Sequence, residues 1–218
     1  RPTPGMTYMV SLDPAMGTGG DYAAIQVFEL PTFEQVAEWH HNTTPMNHQV
    51  RILQQINKHI HDSIMEKDST ASPQIFYSME NNTIGEAALL RVMDIGEENI
   101  PGMFLSEPIR KGHRRKFRRG FNTTAKHKID ACTKFKELVE NGKMKINSQL
   151  LISELKDFVA SGMSYKAKAG QHDDLVSSCL LMTRMMKVLA DFDPKIFEKW
   201  TDRTSELKPM PVFGSFYG

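Results

Sequence analysis

The stretch from Tyr8 to Phe28 constrains the fold more than any other. An apolar run, Tyr8-Met9-Val10-Ser11-Leu12, ends in Asp13; a glycine-rich link with Gly17, Gly19 and Gly20 follows, and a second apolar run starts at Ala23. Two such runs around a Gly-rich link read as a β-hairpin with a carboxylate at the mouth of its first strand. An ionised acid is costly to bury in a central strand unless a cation or hydrogen-bond donors face it. Asp13 is therefore the first place to look for chemistry.

The order of elements around that hairpin sets the fold class. Val36 to His41 reads as a third strand after the turn residues Pro31 and Thr32, giving an antiparallel meander. From Pro45 the apolar period changes: Met46, Val50, Leu53, Ile56, Ile60 and Ile64 mark an amphipathic helix. Gln74 to Glu80 is a fourth strand that again ends in an acid. A strand reached through a helix is expected to pair parallel to an earlier one by a right-handed crossover. If it lies beside the first strand, Glu80 and Asp13 share one end of the sheet.

Ile84 to Ile95 reads as a helix, Met103 to Leu105 as a short strand, and Ser106 to Asn122 as an extended basic loop. Thr123 or Thr124 caps a helix that stops at Asn141-Gly142. Lys143 to Asn147 reads as one more short strand, Ser148 as the cap of a helix with Leu151, Leu155 and Phe158 on one face, and Phe158 to Lys168 as a β-ribbon. The last helix runs from Asp173 to about Ala190, with Leu175, Cys179, Met182, Met186 and Leu189 facing inward. This is an α/β order with a mixed central sheet flanked by helices, the order of the RNase H/RuvC-like fold. Residues 1–193 form one domain in this scheme. The tail 194–218, with Pro209, Pro211 and Gly214, is loosely attached.

At 218 residues and 40% hydrophobic content the chain is long enough for a full core. It has no apolar run of about 18 residues and no signal or transit peptide at its start, so it is expected to be soluble, with no membrane partner. Arg1-Pro2-Thr3-Pro4-Gly5, without an initiator Met, suggests a domain cut from a longer polypeptide at a linker. Cys132 and Cys179 are too few for a disulfide framework and are expected as reduced thiols on helices; no His/Cys cluster has zinc-site spacing.

The charge is uneven. Of the 27 basic residues nine lie between Arg110 and Lys128 with no acid among them, which leaves 18 basic against 26 acidic residues elsewhere. Arg110, Lys111, Arg114, Arg115, Lys116, Arg118 and Arg119 suit counterion release on a phosphate backbone, without base-specific readout. Phe117 is a candidate anchor or base-stacking residue. A nuclear-import-like signal is the competing explanation for the run, which also holds His113.

Each acid also has an ordinary explanation. Asp13 precedes Pro14, a common turn start; Glu80 leaves its sheet beside Asn81; Asp173 and Asp174 open a helix, where the dipole favours acids. What they share is position, at element ends that meet on one sheet edge. Hard divalent cations prefer such oxygen ligands, and phosphodiester cleavage by two metals about 3.5–4 Å apart needs bridging and terminal carboxylates. Asp13 is the expected bridging ligand, with Glu80 and Asp174 completing the shells of Mg²⁺ (or Mn²⁺), two ions in all. Asp174 is preferred over Asp173, which would cap the helix or support from behind. Asp21, His41 and His172 are candidate supporting residues.

Ser11-Leu12-Asp13 with Gly17 to Tyr22, Tyr77-Ser78-Met79-Glu80-Asn81-Asn82, and Gly170-Gln171-His172-Asp173-Asp174-Leu175-Val176 resemble the three acidic motifs of the nuclease domain of large terminase subunits. The similarity is to tailed bacteriophages of the myovirus type and spans about Thr7 to about Ala190. It implies an endonuclease that cuts concatemeric double-stranded viral DNA with little sequence preference at the start and end of headful packaging. Asp13, Glu80 and Asp174 would be its triad and Asp21 a further acid of the first motif. The implied partners are DNA, an ATPase motor domain, a portal and a small terminase subunit, in the cytoplasm of an infected bacterium. No Gly-x-x-x-x-Gly-Lys-Ser/Thr loop occurs, so no ATP site is expected here. Three alternatives stand beside this one. The hairpin also resembles the phosphate hairpin of actin-like and sugar-kinase ATPases, which need a second such hairpin. A non-catalytic DNA clamp or portal-docking module would leave the acids vestigial. A Holliday-junction resolvase-like nuclease would prefer branched DNA.

Overall fold

The computed structural model describes residues 1–192 except 112, 113 and 163, without the side chains of 109–118 and 192. The expected tail 194–218 lies outside the described residues. Five strands form the main sheet: β1 (Thr7–Asp13), β2 (Ala23–Leu30), β3 (Glu34–His41), β4 (Gln74–Met79) and β5 (Met103–Phe104). Their spatial order is β3-β2-β1-β4-β5. The first three form the antiparallel meander, and β4 joins β1 in parallel with Leu12 opposite Met79. The expected mixed sheet is thus present, with β1 at its centre.

Residue parity along β1 assigns the two faces, because successive side chains in a strand alternate. Tyr8, Val10 and Leu12 pack with Val50, Leu53 and Ile60 of α1 (Met46–Lys67) and with Ala88 and Val92 of α2 (Thr83–Ile95). Met9, Ala24, Phe28 and Phe76 pack on the other face with α3 (Ala125–Glu140), α4 (Gln149–Asp157) and α5 (Asp174–Phe192). The expected inward face of α5, Leu175 through Leu189, is buried, and so are Val176, Leu180, Leu181 and Met185 around it. A helix apolar nearly all round belongs between layers, and α5 lies between the sheet and α3 and α4. Each such fully buried Leu or Met contributes about 1.5–3 kcal/mol. Ser11 and Ser178 are the contact point of helix and sheet: Ser11 Oγ donates to Ser178 O at 2.8 Å and Ser178 Oγ to Ser11 O at 3.0 Å. Small side chains there let α5 approach β1 closely, one pleat before Asp13.

Helix starts follow the capping chemistry of the sequence. Thr124 accepts from the His127 amide, Ser148 from Leu151, and Asn82 from Gly85. Gly85 is required by close approach, since a Cβ there would lie 1.9 Å from Glu80 O. The expected ribbon is present as β8 (Phe158–Ser161) and β9 (Ser164–Ala167). Two expectations fail. Ser106 to Asn122 is no extended loop: β6 (Glu107–Lys111) and β7 (Arg114–Arg118) form a separate antiparallel sheet. A two-stranded ribbon apart from the main sheet needs no apolar face, so its sequence lacks the alternation that reveals a strand. Lys143 to Asn147 is not a strand either and makes one bridge, Lys145 to Glu34. The buried Gln35 side chain takes over there, its Oε1 accepting from the Asn147 and Ser148 amides at 2.9 and 2.8 Å.

Candidate functional site

Parity that assigns the core also gathers the acids. Asp13 follows Met9 and Ser11 on the face that meets α5, and Glu80 follows Phe76 and Ser78 on the same face. The Glu80 amide donates to Leu12 O at 3.1 Å, which extends the parallel register by one residue and sets the two acids side by side. Asp174, the first residue of α5, stands over them. The buried Asp13 carboxyl is held well above the usual carboxylate range, first by burial and then by the neighbouring Glu80, with Asp174 and Asp173 adding repulsion. Burial pushes Asp174 up to about 6, with Asp173 and Asp21 adding to the rise while the Tyr22 amide and His172 oppose it. Asp13 therefore lies within electrostatic reach of both other expected acids, Glu80 and Asp174.

The glycine-rich turn is tied to this site at both ends. After Asp13, the Gln49 side chain of α1 holds Ala15, accepting from its amide at 3.2 Å and donating to its carbonyl at 2.8 Å. Before β2, the Tyr22 amide donates to Asp174 Oδ2 at 3.3 Å. Exposed Asp21 comes near enough to Asp174 to raise its pKa. His172 Nδ1 lies 3.6 Å from Asp174 Oδ2, as expected of a neighbour of the acid pair. His41 is not part of the cluster. It is exposed, with its Nδ1 2.8 Å from Thr44 Oγ1. Strand alternation gives the place instead to His40, whose ring stacks on Tyr22 at 4.1 Å. Burial lowers the His40 pKa, against the opposing pull of Glu38, so the ring favours its neutral form.

The Asp173 side chain, expected to cap α5 or to support the site from behind, does not cap the helix. Its carboxylate pairs with Lys128 Nζ of α3 at 3.4 Å, and that ammonium also lies 5.4 Å from the centre of the Phe158 ring. The capping oxygen comes from Glu154 of α4, which accepts from the Leu175 and Val176 amides at 2.9 and 3.1 Å. Burial pushes Glu154 up to about 7, against the lowering effect of those two amides. Nothing in Leu150-Leu151-Ile152-Ser153-Glu154-Leu155 distinguishes this acid from a solvated helix residue; only the packing of α4 against α5 reveals it.

The basic hairpin is rooted beside Glu80. The Phe121 amide donates to Met79 O at 3.1 Å and the Asn81 amide to Phe121 O at 2.7 Å, so the chain leaving β7 continues the sheet next to β4. Gly120 makes the turn with φ +67, where a Cβ would meet Met79 O at 2.8 Å. On the other side, Arg184 of α5 holds the root through Glu107 (2.8 Å), Thr123 Oγ1 and the Asn122 carbonyl (3.0 Å each). It also lies over the Phe121 ring. Of the expected DNA-binding cations, Arg119 is paired with Glu97 at 2.7 Å. The side chains of Arg110, Lys111, Arg114, Arg115, Lys116, Phe117 and Arg118, and all of His113, lie outside the described residues.

Carboxylate oxygens are the donor set of Mg²⁺ and Mn²⁺, and a buried acid whose neighbours are other acids is a place that a hard cation would relieve. Among the described residues, no group of three or more His, Cys, Asp or Glu side chains is placed to hold a metal ion as it stands. The acids surround Asp13 closely enough to repel one another without converging on a point. Cys132 and Cys179 are free and buried, and burial pushes both thiols up.

A family model described as "Terminase RNaseH-like domain" matches residues 10–185. Among solved structures, the large terminase nuclease from thermophilic phage G20c with bound magnesium is 18% identical. It superposes with a TM-score of 0.58 over 83% of this chain and 82% of its own. A Thermus phage P74-26 large terminase nuclease domain gives 18% identity and 0.53 over 81% and 78%. The manganese-soaked, inhibitor-bound human cytomegalovirus terminase nuclease domain gives 14% and 0.58 over 82% of each chain.

Proposed function

Because the chain belongs to the terminase RNase H-like domain family, we propose that it is the nuclease of a viral DNA-packaging terminase, a metal-dependent endodeoxyribonuclease that cuts concatemeric double-stranded DNA when headful packaging starts and ends. The observation that carries this is the adjacency of Asp13 and Glu80 on parallel strands beneath Asp174. Asp13, Glu80 and Asp174 would hold the divalent cations, with Asp13 shared between two. When bound, such ions supply an activated water and stabilise the leaving oxygen in phosphodiester hydrolysis. The chain's own residues arrange the rest. Tyr22 and His172 orient the Asp174 carboxylate. Asp173 keeps Lys128, a donor cation, beside the cluster, and the cationic hairpin rooted at Glu80 holds the DNA backbone across the acids. The DNA-bound protein would work with an ATPase motor domain, a portal and a small terminase subunit in the cytoplasm of the infected host. Residues 1–193 would act as the nuclease unit.

Incubation of the protein with supercoiled plasmid and Mg²⁺ or Mn²⁺ tests this. The parent is expected to nick and linearise; Asp13→Asn, Glu80→Gln and Asp174→Asn are each expected to lower the rate by at least about 100-fold, the scale of removing an electrostatic element of a site. Undiminished cutting by Asp13→Asn would falsify the assignment. A parent that binds plasmid but cuts nothing points to a non-catalytic clamp, and a strong preference for four-way junctions to a resolvase.

A further inference from the structure

Resting on that nuclease assignment, we propose that Glu154 is a positioning residue: it caps α5 from a neighbouring helix so that Asp173 and Asp174 both stay turned toward Asp13. A helix leaves its first amides without intrahelical partners, and the residue ahead of it normally supplies a side-chain acceptor. Asp173 occupies that place here, since its carbonyl accepts the Ser177 amide at 2.7 Å. Its carboxylate is nevertheless committed to Lys128 at 3.4 Å, on the side where it also repels Asp13. The Leu175 and Val176 amides go instead to one oxygen of Glu154, at 2.9 and 3.1 Å. Without Glu154, Asp173 would be the nearest acceptor for them and would have to turn away from the cluster.

A second observation closes the arrangement. The other Glu154 oxygen lies 3.8 Å from His40 Nε2, which is buried without a hydrogen-bond partner. His40 stacks on Tyr22, and the Tyr22 amide holds Asp174. Contacts therefore run from Glu154 through the first turn of α5 to Asp174, on to Tyr22 and His40, and back to Glu154. The Asp174 carboxylate is fixed from its helix and from the facing loop, and Glu154 touches both supports. Outer groups that orient metal ligands typically change metal affinity by about 10–100-fold when removed.

The test uses the whole chain in three forms: parent, Glu154→Ala and Glu154→Gln. Glutamine keeps an acceptor oxygen for the two amides, and its NH₂ can donate to His40 Nε2. Hydrogen exchange at Leu175 and Val176 in metal-free protein reads the cap, and calorimetric titration with Mn²⁺ alone reads the site. Faster exchange at both amides is expected in Glu154→Ala, with Mn²⁺ affinity reduced about tenfold or more; both should return toward parent values in Glu154→Gln. Mn²⁺ affinity in Glu154→Ala within twofold of the parent would overturn the proposal even if its melting temperature drops. So would Glu154→Gln behaving like Glu154→Ala, a comparison that stands if the alanine variant does not fold. A parent that binds no Mn²⁺ would remove the nuclease assignment instead, leaving the exchange rates to decide whether Glu154 is the cap.

Discussion

At the start of α5, half-buried Asp174 and Asp173 join half-buried Glu80 in acting on buried Asp13, and both Asp13 and Asp174 have pKa values well above the ordinary range. Ten residues along the same helix, Arg184 is equally buried, yet its guanidinium is matched by Glu107, Thr123 and the Asn122 carbonyl. One cluster is neutral and hydrogen-bonded, as a structural charge in a protein interior has to be. In the other, Lys128 meets Asp173, but among the described residues no cation pairs with Asp13. A fold that satisfies Arg184 so fully has the means to satisfy Asp13 as well, so the imbalance at Asp13 is what the proposed cation would relieve.

The largest effect on folding should come from breaking the balanced cluster. Arg184→Met leaves Glu107 half-buried beside an apolar helix and is expected to cost about 3 kcal/mol, the low end for a buried pair because Glu107 keeps some contact with water. Urea unfolding of this variant and of Arg184→Met with Glu107→Gln checks it, with the double variant recovering most of the loss. A single-variant cost under about 1 kcal/mol would show that Arg184 is no structural clamp. At the unbalanced cluster the sign reverses. In metal-free protein Asp13→Asn is expected to raise stability by about 1 kcal/mol, or roughly 2–4 °C in Tm for a chain of this size, while removing cleavage. A destabilised Asp13→Asn would erase the contrast between the clusters.

The pH dependence sharpens the same point. Asp174, Glu154 and Asp13 bind protons more tightly folded than unfolded, two of them titrating at about 6 and about 7. The folded state therefore holds the extra protons as pH rises from about 4 to 7, and stability must fall through that window, the reverse of ordinary salt-bridged acids. His40, lowered by burial, acts in the opposite direction, but it is one group against three. Metal-free protein is expected to melt several degrees lower at pH 8 than at pH 5. Mg²⁺ should raise Tm more at pH 8, because it binds the ionised acids. A metal-free Tm that climbs between pH 5 and 8 would mean the acids are not mutually repelling.

These differences also explain what the sequence makes legible. Asp13 and Glu80 stand at the ends of apolar runs, and Asp174 at the start of a strongly periodic helix; local patterns expose such positions, and the parallel register then follows from the crossover rule. Glu154 and Arg184 have no local signal, since their roles come from partners 21 and 77 residues away in the chain. The place expected for His41 goes to His40 for a finer reason. A strand's end can be read from sequence, but which of two adjacent residues faces the site is fixed by register, and a one-residue change moves a side chain to the other face. Asp173 reads from sequence as a cap or a supporting residue, since acids at helix starts serve both ways; a competing acceptor from another helix is invisible in one dimension.

The smallest effect concerns the border between the cationic hairpin and the acidic body. Arg119 and Glu97 form an ion pair with both side chains more than a third exposed, a kind that contributes about 0.2–1 kcal/mol. Arg119→Ala should therefore barely change stability. Its effect on DNA binding should also be small, because a guanidinium already neutralised by Glu97 releases no counterion from phosphate. Neutralising Arg114, Arg115 and Lys116 has a different expected result: each lost phosphate contact reduces the slope of log K against log salt by about 0.9. Binding of a short duplex across a salt series separates the two cases. A slope unchanged by Arg119→Ala but reduced by the other three places the boundary of the DNA-binding surface between β7 and the root of the hairpin. A reduction of about one unit on Arg119→Ala alone would mean that Arg119 leaves Glu97 for phosphate when DNA binds, which extends the cationic surface to the edge of Glu80.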